Sequence, residues 1–353
     1  MKQFTLPRKK KSGSDTYPQQ IHFNQIDILK GLAIISVVLI HTYNNDTLGA
    51  MGAPFYLLQA VPVFLLLAAF TNAWALTSAR KTTLLQSYDL TIISRRLNRL
   101  LVPYVVIWIF QFLVVLGFIV YKIDLPIQNP NHFFYTGIDG LFNFLSGGNG
   151  MGNYFIPIIL QQILIIPVLY YLALRSPNRM LVMAFIMDLV LEYIAVLLGL
   201  PAWLNSIIYI RYIFIGALGV WLVFRERVIT RWILFGGLIS AVYIYAVYYL
   251  NFQFWFFSPY DSFFHAFSYL WTLVIVVLGI QFLPPDSCNK IYLALQELGK
   301  ASWHIFLVQM TFFSLSGNPF IWSCPLVQSF IWPCSASSPA SRSAMGSTGF
   351  RWL

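Results

Sequence analysis

The sequence predicts an all-α fold: a polytopic transmembrane helical bundle of about nine to ten spans, with its N-terminus in the cytoplasm. Three observations carry this expectation. Of the 353 residues 58% are hydrophobic and only 10% charged, where a soluble domain holds about 25% charged residues, and the mean hydropathy is +0.70. Apolar runs long enough to cross a bilayer of about 30 Å recur along the chain. Basic residues also gather in alternate loops, as the positive-inside rule requires.

Taken in order, residues 1–24 form a basic segment with Lys2, Arg8, Lys9, Lys10 and Lys11 and no apolar run ending in a small-residue cleavage site, so the first span is expected to serve as its own targeting signal. Apolar runs follow at 26–43, 50–76, 100–121, 154–174, 180–199, 207–224, 232–250, 266–283 and 303–322. Arg80, Lys81, Arg95, Arg96 and Arg99 follow the second run; Arg175 with Arg179, then Arg225, Arg227 and Arg231, then Lys290 and Lys300 mark every other loop after it. The intervening loops hold Lys122 and little else. The net charge of +10 therefore marks a membrane face and implies no nucleic acid partner. The expected partner is the lipid bilayer, and the expected location is the cell membrane.

Residues 25–322 read as one membrane domain without internal repeats, which weakens an inverted-repeat transporter reading. The largest external loop, 122–153, contains Pro126, Pro130, His132, Asp139 and the run Gly147-Gly148-Asn149-Gly150-Met151-Gly152. Such backbone is adaptable enough to grip an acceptor. A second external segment, 251–265, is dense in aromatics, which suit either an interfacial belt or a sugar-stacking surface. Residues 323–353 turn serine-rich and lack a run of span length. They read either as an unstructured tail or as a truncated or frame-shifted terminus, and in both cases no packed transmembrane helix is expected there. Cys288, Cys324 and Cys334 form neither a zinc spacing nor a disulfide framework, so no metal is implied.

The chemistry-bearing residues cluster in the first and third runs. Lys30 and His41 lie eleven positions apart in the first, about three turns and ~16 Å along one helix face. Ionisable groups inside a span are functional suspects. A neutral imidazole can move a proton near neutral pH or attack an acyl carbonyl; the alternative for His41 is an interfacial histidine satisfied by a backbone carbonyl. Arg95, Arg96 and Arg99 precede the third apolar run. Guanidinium groups three apart share a face and suit phosphate, although an arginine cluster there also satisfies the topology rule alone. Asp188 and Glu192 lie four apart in the fifth run and Arg211 a turn into the sixth; Glu192 and Arg211 fall at similar depths, so a mainly structural ion pair is expected. Asp27 opens the first span as a helix N-terminal carboxylate placed to meet the basic cluster.

Four ordered stretches resemble motifs of the acyltransferase-3 family of integral membrane O-acyltransferases: Asp27-Ile28-Leu29-Lys30-Gly31-Leu32 followed by His41; Val61-Pro62-Val63-Phe64; Arg96-Leu97-Asn98-Arg99; and Leu298-Gly299-Lys300-Ala301-Ser302-Trp303. The resemblance runs from about residue 24 to 316. It implies an acyltransferase transferring groups other than amino-acyl groups, with cytoplasmic acyl-CoA, acetyl-CoA above all, as donor substrate. It assigns the CoA phosphates to Arg96 and Arg99, with Arg95 beside them. It gives the transfer chemistry to His41, aided by Lys30, and makes the acceptor a hydroxyl of an exported glycan or lipid-linked sugar. Two stretches depart from the family pattern: Asn153-Tyr154-Phe155-Ile156-Pro157 where some members carry a tryptophan-rich segment with a glutamate, and Gln309-Met310 where a histidine often follows the late motif. From a different class, a transporter or flippase of lipid-linked saccharides would also use interior charges and external aromatics.

Overall fold

A computed structural model describes residues 23–120, 137–225, 231–252, 265–286 and 288–316. Residues 1–22 of the basic segment, residues 121–136 of the external loop, the aromatic stretch 253–264 and the tail 323–353 lie outside the described residues. Thirteen α-helices follow in order among the described residues: α1 (Asn24–Thr42), α2 (Asn45–Ala50), α3 (Ala60–Ser78), α4 (Leu84–Ser87), α5 (Leu90–Val120), α6 (Gly137–Leu145), α7 (Phe155–Arg175), α8 (Pro177–Leu197), α9 (Ala202–Ile207), α10 (Ile213–Val223), α11 (Arg231–Tyr249), α12 (Tyr269–Phe282) and α13 (Lys290–Ser316). Six helical stretches, those of α1, α3, α5, α7, α8 and α11, are long and apolar enough to cross a membrane, and two shorter apolar ones run over Tyr209–Val223 and Tyr269–Phe282.

Several boundaries differ from the hydropathy reading, each for a local reason. The third apolar run was expected from residue 100, but α5 starts at Leu90. The Asp89 carboxylate caps it, accepting from the amides of Thr91 (2.9 Å) and Ile92 (3.4 Å), and Lys81 anchors that carboxylate at 2.9 Å. The arginines therefore stand on the helix and not in a loop. Residues 50–59, expected within the second span, are spent on the end of α2, a short 3-10 turn and a bend, so that α3 begins at Ala60. The last apolar run, expected at 303–322, belongs to a helix that already starts at Lys290, because Lys290, Glu297 and Lys300 lower the hydropathy without opposing helix.

The core is built around α3 and α10. Leu65, Leu66, Leu67 and Ala69 of α3 are fully buried, and every residue of α10 is buried. Gly219 lets α10 approach the backbone of α3 at Leu66 and Phe70. Around this centre, α5, α8 and α11 turn rows of large apolar side chains outward, among them Val106, Phe110 and Leu113, Val182, Ile186 and Val190, and Leu234, Leu238 and Val242. Faces of this kind need lipid to cover them.

A charged cluster lies in the interior. Arg211 Nε lies 3.0 Å from Glu192 Oε1, as the depth argument expects, and His265 Nδ1 lies 3.3 Å from the same oxygen, all three side chains being buried. The amide of Phe214 donates to Asp188 Oδ2 at 3.3 Å. This cluster joins α8, the turn before α10 and the turn before α12.

Candidate active site

The first and last described helices form the seam on which the candidate residues sit. Gly31 of α1 and Gly299 of α13 face the opposing backbone so closely that a Cβ at Gly299 would fall on the carbonyl oxygen of Asp27, and one at Gly31 on that of Leu295. Bare α-carbons are what such a crossing requires. Two stretches noted separately in the sequence, around Lys30-Gly31 and around Gly299-Lys300, thus become one structural unit.

At one end of the seam lies a basic collar. Lys30 is 3.7 Å from Asp27 and retains 26% side-chain exposure. Arg99 is near enough for its charge to act on Lys30 and on Arg96. Arg96 Nη2 donates to the Thr71 carbonyl at 3.3 Å, which ties the base of α5 to α3. Lys300 joins from α13, bonded to Glu297 at 2.7 Å and within electrostatic reach of Asp27. Four cations thus face two carboxylates, and the surplus of positive charge with a fork of guanidinium donors suits a phosphate group. Arg99 and Arg95 are both exposed; Arg95 joins none of these contacts.

Inside α5, Pro103 lacks the amide that would bond the carbonyl of residue 99. One residue along, the Leu100 carbonyl accepts from Trp303 Nε1 at 3.2 Å. The indole of the late motif therefore locks α13 onto the weakened turn just beyond the arginines.

At the other end stands His41, in the last turn of α1 and half-buried. Its ring lies 5.9 Å from that of Phe313 of α13. The glycine run reaches it from a third direction: a Cβ at Gly152 would lie 3.6 Å from His41 Nε2 and 3.5 Å from Phe306, and one at Gly150 would press on Met310 at 2.5 Å. Both glycines have positive φ, +128° and +82° for Gly150 and Gly152, so no other residue takes this path beside the imidazole without strain. The loop expected to grip an acceptor is packed directly against the candidate catalytic histidine.

What holds that loop is a polar ladder that sequence reasoning missed. Tyr104, Trp108 and Gln111 recur at helical spacing on one face of α5. Tyr104 donates to the Phe144 carbonyl (2.6 Å) and Trp108 Nε1 to Asn143 Oδ1 (3.2 Å). The buried Gln111 amide donates to the Asn149 carbonyl (3.1 Å) and to Thr311 Oγ1 (2.9 Å), while its oxygen accepts from the Asn149 amide (3.4 Å). Asn143 donates to Asn149 Oδ1 at 2.7 Å and Asn153 to the Gly148 carbonyl at 2.9 Å. The signal was present as polar tips every third or fourth residue in an apolar helix, but aromatic and amide groups there also fit an interfacial belt.

Residues 23–330 match the family model described as an acyltransferase domain, of the acyltransferase-3 type. The chain belongs to this family. The match covers nearly the whole chain and contains both ends of the seam, from the basic collar to His41 and its glycine loop. Comparison with curated proteins and with solved structures returned no match. Family membership and the span-length apolar helices together make this a membrane acyltransferase of the broad class the motifs suggested.

Proposed function

We propose that this acyltransferase-3 protein is a cell-membrane O-acyltransferase that moves an acyl group, acetyl foremost, from cytoplasmic acyl-CoA to a hydroxyl of an exported glycan or lipid-linked sugar. The observation that carries the reading is the placement of a basic collar and a half-buried histidine at opposite ends of one seam, about 16 Å apart along α1. That span separates a diphosphate from a thioester at the far end of an extended CoA arm. In this reading Arg96 and Arg99 hold the phosphates, Arg95 adds to the field at the mouth, and Lys30 supports the same charge from α1. Under the positive-inside rule this end, with the N-terminus, faces the cytoplasm.

His41 then works on the acyl carbonyl. As a general base, Nε2 takes the proton of the acceptor hydroxyl while its oxygen attacks the thioester carbon; the C–S bond breaks and the proton passes to the departing thiolate. As a nucleophile, the same nitrogen attacks the thioester carbon first, the C–S bond breaking to release the CoA thiolate, and the acceptor oxygen then takes the acyl group from it while the hydroxyl proton passes to the thiolate.

The purified protein in lipid nanodiscs, supplied with radiolabelled acetyl-CoA and total membrane glycolipid, tests the proposal. Label is expected in an alkali-labile ester of the acceptor, and loss of this transfer in a folded His41→Ala variant. Saccharide movement without ester formation would instead support the flippase reading, and an active His41→Ala enzyme would remove His41 from the mechanism.

A further inference from the structure

Gln309 sits on the same seam with its carboxamide unsatisfied. On α13 the residues Leu295, Gly299, Ser302, Phe306, Gln309 and Phe313 repeat at alternating steps of four and three, which is one helix face. Leu295 and Gly299 meet the backbone of α1 at one end of this face, and Phe313 meets His41 at the other. Val308 and Phe312, 58% and 55% exposed, point outward on the flank beside Gln309. Gln309 is therefore turned toward α1, about 15 Å beyond Gly299 and one turn, ~6 Å, short of Phe313. It is only 7% exposed, and neither its nitrogen nor its oxygen has a hydrogen-bond partner among the described residues. Buried polar groups are almost always paired. A side chain with both halves of its carboxamide unpaired, in the seam joining a phosphate-suited collar to His41, is matched to a ligand.

The chemistry of the group narrows that ligand. A carboxamide offers N–H donors and a carbonyl acceptor side by side, so a secondary amide, with one of each, satisfies both atoms at once. We propose that Gln309 binds a secondary amide of the pantetheine arm of CoA as the arm runs along the α1–α13 seam. The inference rests on the acyl-CoA reading above. In CoA the order is diphosphate, two amides, then thiol; along the seam it is collar, Gln309, then His41. An acetamido group on a sugar acceptor has the same amide chemistry, and the test separates it from the donor.

Affinities of the full chain in nanodiscs are measured for CoA and for the nucleotide half of CoA, which keeps the phosphates but lacks the arm. Gln309→Leu is expected to weaken CoA by roughly 10-fold, about what one lost pair of hydrogen bonds to a buried group accounts for, and to leave the nucleotide half unchanged. Gln309→Glu, which keeps the acceptor and loses the donor, should weaken CoA as well. Without ligand, the leucine variant should melt at or above the wild type, since it removes two unpaired polar atoms from the interior. Undiminished CoA affinity in Gln309→Leu overturns the inference, including the case in which only the KM for an acetamido sugar rises. Equal weakening for both ligands overturns it too, by making the effect one of packing. If the wild type binds no CoA, the donor reading itself falls, whereas a wild type that binds CoA beside an unaffected variant sinks Gln309 alone.

Discussion

Replacing Gly299 by alanine tests the crossing on which the whole site is built. The new methyl would land on the Asp27 carbonyl oxygen, 2.7 Å from its carbon and 3.0 Å from the Gly31 nitrogen. All three are backbone atoms, so no side chain can swing aside. Restoring the ~3.5–4.0 Å separation of non-bonded atoms means parting the helices by roughly 2 Å at this point. Overpacking of this kind costs about 1–3 kcal/mol, and alanine returns up to about 1 kcal/mol through its better helix propensity. The net loss is about 1–2 kcal/mol, a melting temperature lower by roughly 2–8 °C. Fluorescence-detected size-exclusion melts in detergent read this directly. Gly117→Ala in α5, where an added Cβ meets nothing within 4 Å, is the control and should not lower the melting point. A Gly299→Ala protein as stable as the wild type would show that α1 and α13 do not cross this closely, and the link between collar and histidine would lose its basis.

Three further outcomes are expected. Gln111→Leu strands the Asn149 carbonyl and amide and loosens the glycine loop beside His41, at a cost of about 1–3 kcal/mol; steady-state kinetics should show kcat falling more than the KM for acetyl-CoA, and an unchanged kcat would deny the loop a positioning role. Lys30→Ala should depress transfer more than Lys30→Arg, since the proposed role is a positive charge on the His41 face; equal losses in the two would assign the lysine a geometric role. Arg211→Met leaves Glu192 buried beside His265 without its guanidinium, which costs about 3–5 kcal/mol; the double variant with Glu192→Gln should recover much of that in a thermal melt, and no recovery would argue against a coupled pair.

Particular residues show what was legible in the chain and what was not. Lys30 and His41 could be placed on one helix face from spacing alone, because 3.6 residues per turn is a local property. The partnership of Glu192 with Arg211 was legible because an unpaired charge at that depth is too costly to persist. That His265 completes the cluster was not, since a residue more than fifty positions away in a turn carries no periodic signature. The start of α5 was misplaced because hydropathy registers charge, whereas the helix begins where Asp89 caps it. The glycine run was recognised as adaptable, but its contact with His41, and the bonds from Gln111 to Asn149 and Thr311 that accompany it, join segments distant in the chain.

By itself, then, the sequence determined that this is a membrane-embedded helical protein, which residues are ionisable inside it, and how they are spaced along each helix. Those properties follow from composition and the short-range geometry of one chain segment. Only the tertiary structure decided that α1 lies against α13, that the arginines of α5 share a collar with Lys30 and Lys300, and that Gln309 faces the seam. In a bilayer an apolar side chain is equally at home against lipid or against another helix. Hydropathy therefore finds the spans without ranking their neighbours; the close approach of small residues such as Gly31 and Gly299, and the need to pair every buried polar group, select which helices meet.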